Sequence, residues 1–155
     1  MTDLPPLAAS IRPEDMDAFA RTIWGEARGE APEGRTAVAW VIRNRAALAA
    51  ERMARTGRPH PLFGDGTLAG ACKARWQFSC WNAKDPNRAP MLAAGFADAA
   101  FADAFAVACR VLHAAVPDPT GGATHYHNHR IEPHWTRGAR PTAMIGRHVF
   151  YTDVP

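Results

Sequence analysis

Glu26 stands where an acid could work. A helix turns about 100° per residue. In the apolar run that carries Met16, Phe19, Ala20 and Ile23, Glu26 therefore falls roughly 20° from Phe19 and about 60° from Ile23 around the axis. A carboxyl on an apolar face near a helix end is partly desolvated. Desolvation raises its pKa and keeps a proton available for general-acid work. The same position also suits an ion pair with Arg28 or Arg45, so both roles are open from position alone. Arg45 follows Val38 by seven residues, about 20° away on the buried face of the next helix. A buried guanidinium needs an anion, and Glu26 or Glu30 is the expected partner. The alternative is a side chain that snorkels at the edge of the core. The expected role of Arg45 is structural, as a support for a site carboxylate.

Five of the seven histidines, His125, His127, His129, His134 and His148, fall in the last 31 residues. On a strand, His125, His127 and His129 would share one face and could hold zinc. No HExxH-type acidic motif accompanies them. Histidines that line a cleft and hydrogen-bond there are the better expectation, with no metal. The aromatic set Trp24, Trp76, Phe78, Trp81, Tyr126, Trp135 and Tyr151 lies mostly in loops and short strands beside Gln77, Ser79, Thr124 and Asn128. Rings with interspersed amides and hydroxyls describe a sugar cleft, although core packing explains some of them. No phosphate-binding glycine loop, nucleophile elbow or dinucleotide fingerprint is present, and no cofactor is expected.

Three helical segments must position these groups. The first begins at Pro13, with Glu14, Asp15 and Asp17 in its opening turns, and ends near Arg28-Gly29. The second opens at Pro32-Glu33 and stops at Thr56-Gly57-Arg58-Pro59. The third is expected from about Met91 to Ala115, and its nearly all-round apolar surface predicts the central, buried helix. Pro59 to Pro90 reads as loop. Short strand-like pieces, Ala123–His127 and His148–Thr152, follow the third helix. The fold class expected is α+β: mainly helical with a small irregular β region.

The 155 residues suit one domain of core about 13–152. With 47% apolar and 21% charged residues, disorder is excluded. A net charge of +3 suits a polyanionic surface but argues no nucleic-acid partner. No apolar stretch reaches transmembrane length, so no membrane insertion is expected. Met1 to Ser10 lacks signal-peptide character, so synthesis in the cytoplasm without an export signal is expected. Three cysteines without a CxxC motif argue against a disulfide framework. Cys109 reads as core; Cys72 and Cys80 could pair in an oxidising compartment, but two reduced thiols are the expectation for a chain without a signal.

The ordered motifs resemble the cell-wall hydrolase family typified by the spore-cortex lytic enzyme (SleB-like). They begin with Ile23-Trp24-Gly25-Glu26-Ala27-Arg28-Gly29-Glu30, then Gly34, Ala37-Val38-Ala39 and Asn44-Arg45. Gln77-Phe78-Ser79-Cys80-Trp81 and Asp85-Pro86-Asn87-Arg88 follow. Asp118-Pro119-Thr120-Gly121-Gly122-Ala123-Thr124-His125-Tyr126-His127-Asn128, Trp135, and Ile145-Gly146 with His148, Phe150 and Tyr151 close the set. Any one block is weak evidence, but the ordered set is specific and spans roughly residues 16 to 152.

The resemblance implies a lysozyme-like fold, cleavage of the MurNAc-GlcNAc bond of peptidoglycan, and Glu26 as the catalytic acid of a lytic transglycosylase. Gln77, Phe78, Ser79, Tyr126, Asn128 and His148 are expected around the same cleft, with Trp135 and Tyr151 as further lining. A two-carboxylate hydrolase would need a partner for Glu26, for which Glu30, Asp85 and Asp118 are available. The chain carries no wall-binding repeats of the kind many members have. It reads as a monomeric catalytic domain that acts on the wall, and a phage-type endolysin, or an accessory wall enzyme exported by other means, fits better than a spore enzyme. A zinc-dependent wall peptidase or amidase built on the C-terminal histidines is the alternative, and a catalytically silent wall-binding module is a third reading.

Overall fold

The computed structural model describes Leu7 and residues 10–154. Most of Met1 to Ser10, the stretch read for an export signal, lies outside the described residues. Helix α1 (Pro13–Ala27) starts as expected, with proline in its first turn. The buried Asp15 carboxylate accepts the Arg12 N–H (2.9 Å) and the Ala69 N–H (3.0 Å). Burial pushes this carboxyl up, but those hydrogen bonds outweigh it and hold the group below the usual aspartate range. Helix α2 (Pro32–Thr56) also runs between its expected ends. Helices α3 (Leu68–Lys73), α4 (Arg88–Ala93) and α5 (Ala99–Leu112) complete the helical part, and α3 lies in a stretch expected to be loop.

The expected third helix is two helices. Asp98 ends the break by capping α5: its Oδ1 accepts the Ala100 N–H at 2.9 Å, and its Oδ2 accepts the Trp24 indole N–H at 3.0 Å. Arg21 stabilises the other side, donating to the Met91 and Ala94 carbonyls that α4 leaves open. Nor is α5 the central helix. That place belongs to α2, in which every residue from Ala37 to Ala47 is buried. Hydropathy hides this because Arg43, Asn44 and Arg45 interrupt the apolar run. Asn44 and Arg45 are tolerated inside because the segment 118–124 gives them polar partners.

That segment is a polar staple. The Asp118 carboxylate accepts the Thr120 N–H (2.8 Å), the Thr120 hydroxyl (2.7 Å), the Gly122 N–H (3.0 Å) and the Asn44 amide (3.0 Å). Gly121 and Gly122 make the turn at φ 69° and 85°, a left-handed pair that residues with a Cβ resist. The chain then enters an antiparallel sheet of order β1 (His125–Asn128), β3 (His148–Tyr151), β2 (Pro141–Ile145). Tyr126 pairs with Phe150, and His125 with Tyr151. One face of the sheet packs Phe150 on Ala37, Val41 and Ala123, and Tyr126 bridges this cluster to the main helical core. Cys72 and Cys80 are buried free thiols, while Cys109, expected in the core, is only half-buried.

Candidate active site

Glu26 lies in the last turn of α1, between that helix and the sheet. A Cβ on Gly25 would stand 2.8 Å from the Cys80 Cβ and 2.9 Å from its sulfur. Only glycine lets the 3-10 turn Ser79–Trp81 settle so closely beside Glu26. The Trp81 indole N–H fastens that turn to α1 through the Thr22 hydroxyl at 2.9 Å. From the other side, the Tyr126 hydroxyl donates to Glu26 Oε2 at 3.1 Å. Glu26 Oε1 is buried and, among the described residues, accepts no hydrogen bond of ordinary geometry. Burial lifts the Glu26 carboxyl above the usual glutamate range, and the negative charge of Asp85 adds to this. The Cys80 thiol and backbone and the Tyr126 hydroxyl oppose it without prevailing. The shift favours the protonated form of a carboxyl set between a helix end and a sheet, the direction that suits a general acid.

Arg45 does not pair with Glu26 or Glu30 as expected. Its Nε donates to the Thr124 carbonyl at 2.6 Å and its Nη1 to Gln77 Oε1 at 3.4 Å. The guanidinium lies 5.0 Å from the Phe63 ring centroid and 4.8 Å from that of Phe78. A carbonyl, an amide and two ring faces stand in for the anion. Burial draws the guanidinium down to about 10, with the negative charge of Glu26 among the opposing influences, so it is still a cation at neutral pH. Glu30 instead has Oε1 3.4 Å from the Arg147 Nε and 3.9 Å from the buried His148 Nδ1.

Tyr126 touches Glu26, and Gln77 and Phe78 meet Arg45. His148 packs its ring 4.8 Å from that of Tyr126. Asn128 pairs with His148 across the strands, and Ser79 is exposed at the start of the turn that carries Cys80. Trp135 and Tyr151 are not brought to Glu26. They pack with His125 and His127 on the sheet face turned away from Tyr126 and Phe150. Strand register decides this, because Tyr151 pairs with His125 and not with Tyr126.

The histidines do not converge as a zinc site. Both nitrogens of His127 are engaged, by the Tyr151 hydroxyl (3.0 Å) and the Asn128 carbonyl (2.7 Å). His125 meets the Thr124 hydroxyl, and burial with the nearby Arg45 charge drives it down to about 4. His129 lies past the end of β1, against the Arg147 carbonyl. Among the described residues, no three His, Cys, Asp or Glu side chains group as metal ligands would.

Trp76 deserved more weight than the sequence gave it. It precedes Gln77, is 71% exposed and holds φ 65°. An aromatic side chain in the left-handed region costs about 1–2 kcal/mol, and such strain concentrates at functional sites. Cys80, which sequence marks only as a reduced cysteine within the Gln77–Trp81 block, packs its thiol beside the Glu26 carboxyl.

No curated protein matches the chain. Two solved structures share its fold. The catalytic domain of the germination-specific lytic transglycosylase SleB from Bacillus anthracis aligns with a TM-score of 0.64 at 23% identity, covering 94% of this chain and 100% of that one. The catalytic domain of the Bacillus cereus SleB protein aligns with a TM-score of 0.68 at 21% identity, covering 98% and 100%. The architecture is thus the expected lysozyme-like α+β fold, mainly helical with a small sheet. The cell wall hydrolase family model matches residues 29–151. That span begins three residues after Glu26 and takes in Glu30, the Gln77–Trp81 segment, the Asp118 staple and the whole sheet. With this match over most of its length, the chain belongs to the cell wall hydrolase family.

Proposed function

We propose that the protein cleaves the MurNAc-GlcNAc bond of peptidoglycan as a lytic transglycosylase, with Glu26 as its single acid and base. The observation that carries the reading is the carboxyl of Glu26, raised by burial and steadied on one oxygen by Tyr126. Glu26 gives its proton to the glycosidic oxygen as the bond to C1 breaks. The resulting carboxylate takes the proton of the C6 hydroxyl as that oxygen closes on C1. The products are a 1,6-anhydro end, a free hydroxyl on the leaving sugar and a reprotonated Glu26. A two-carboxylate hydrolysis needs a second group facing the bond. The other carboxylates favour it less: Asp118 is occupied by four donors, Glu30 faces Arg147 and His148, and Asp85 accepts the Asn87 N–H. The SleB neighbour described as a lytic transglycosylase supports the same reaction. Mass spectrometry of fragments from purified sacculi tests the reading. Anhydro-muropeptides that still form in the presence of chelator are expected; reducing muramic ends, or chelator-sensitive peptide or amide cleavage, would overturn it.

Tyr126→Phe tests the hydrogen bond. That bond favours the ionised carboxylate and so opposes the upward shift of Glu26. Without it Glu26 holds its proton to higher pH. The alkaline limb of the kcat/KM profile is expected to move to higher pH, and an unmoved limb would deny Tyr126 this role.

Trp76 is proposed as a stacking platform for a sugar ring next to the Gln77–Ser79 segment. Trp76→Gly relieves about 1–2 kcal/mol of left-handed strain and returns about 0.5–1 kcal/mol as unfolded-state entropy. The variant should be no less stable than the parent. Loss of one aromatic contact, about 0.5–1.5 kcal/mol, should raise KM by roughly two- to tenfold. A variant with unchanged KM would remove Trp76 from the binding surface.

A further inference from the structure

One surface excursion of the sheet is basic and leaves its arginines exposed. Residues 129–147 contain Arg130, Arg137, Arg140 and Arg147 against Glu132 alone, a net of +3 that equals the net charge of the whole chain. The other arginine-rich stretch, residues 35–58, holds Arg43 and Arg45 buried inside α2, so it does not present its charge in the same way. Arg130, Arg137 and Arg140 are exposed. Among the described residues, their side chains enter no hydrogen bond or ion pair. Arg21, Arg28 and Arg45, by contrast, are each tied to carbonyls or side-chain oxygens.

The excursion that displays the three arginines is already ordered. The Ile131, Thr136 and Ala139 N–H groups bond back to Asn128, Pro133 and Thr136. Trp135 anchors its middle against Tyr151, ring centroids 5.3 Å apart. Cations on a preordered support lose little freedom on binding. The excursion is also joined to the site. The His129 N–H donates to the Arg147 carbonyl at 2.8 Å, and the Arg147 guanidinium donates to the Gly29 carbonyl beside Glu30. The basic strip thus begins at the turn that follows α1 and leads away along the sheet.

We propose that this strip binds the free carboxylates of the stem peptides carried by the glycan strand, and so favours peptide-bearing over peptide-free strands. The inference rests on the reading of peptidoglycan as substrate. Continuity with the Glu26 end of the fold selects the substrate's own peptides over a separate wall polymer, and the planar guanidinium matches a carboxylate in two hydrogen bonds.

The test is a triple variant, Arg130→Gln, Arg137→Gln and Arg140→Gln, assayed on peptide-bearing strands and on amidase-stripped strands, both freed of phosphate polymers. Exposed positions of this kind leave folding unaffected. For peptide-bearing strands KM should rise roughly tenfold for three lost rim charges, with kcat unchanged. Stripped strands should be cut alike by both proteins. High salt should erase the wild-type advantage. Equal KM values on peptide-bearing strands, or the same loss on both substrates, overturn the proposal. So does a difference that appears only on sacculi retaining their phosphate polymers. If the wild type releases nothing from either strand, the glycan-cleaving reading itself fails and the proposal falls with it, an outcome distinct from all the others.

Discussion

Glu26→Gln is expected to fold normally and to lose nearly all lytic activity. Glutamine keeps the shape of the side chain and can still accept the Tyr126 hydroxyl, but it cannot give or take the proton. General acid–base catalysis typically contributes about 10²–10⁴-fold, and one group here performs both transfers. Stability should move the other way. The folded Glu26 pKa lies above its unfolded value, so ionising the buried carboxyl weakens the fold increasingly as pH rises through the folded pKa. Glutamine removes that penalty. The variant should melt no earlier than the parent at acid pH and later at alkaline pH. An ion-pair role predicts the reverse, because loss of the partner would strand Arg45 and lower the melting temperature. Thermal unfolding across pH, with turbidity loss of sacculi measured on the same preparation, separates the two. A stable variant with undiminished lysis would end the assignment of Glu26 as the acid.

Arg45→Ala should have the largest effect on stability. It leaves the buried Thr124 carbonyl without its donor, at about 1–3 kcal/mol. It also removes a desolvated cation from two ring faces, each contact worth about 0.5–2 kcal/mol. Relief of the buried charge offsets part of this. A net loss of about 3 kcal/mol would lower the melting temperature by roughly 6–12 °C in a chain of this size. Arg45→Met refills the space and should recover part of the loss. If Arg45→Ala melts with the parent, Arg45 is not what joins α2 to the 118–124 segment and the Gln77–Phe78 loop.

What was legible in the sequence was local. Pro13, Pro32 and Gly57 mark helix limits because their backbone preferences act within one turn. The 3.6-residue period put Glu26 on the buried side of α1 for the same reason. The α4–α5 break was missed although its signal was present: Asp98 caps α5, but a long apolar run outweighed one polar residue. Helix α3 and strand β2 were missed because each is six residues or fewer and borrows its stability from α1 and β3.

The sequence by itself determined the fold class, the two long helices, the buried setting of Glu26 and the family blocks that suit a wall-degrading enzyme. Tertiary structure alone decided who meets whom. It gave Arg45 a carbonyl and two rings where sequence offered an acid, and it set Tyr126 on Glu26 from a hundred residues away. It turned Trp135 and Tyr151 to the other face of the sheet, and it left Arg130, Arg137 and Arg140 exposed and, among the described residues, without an ion-pair partner. A residue's conformational preference acts through its near neighbours, whereas the partner of a buried charge and the face of a strand depend on packing and register between distant segments.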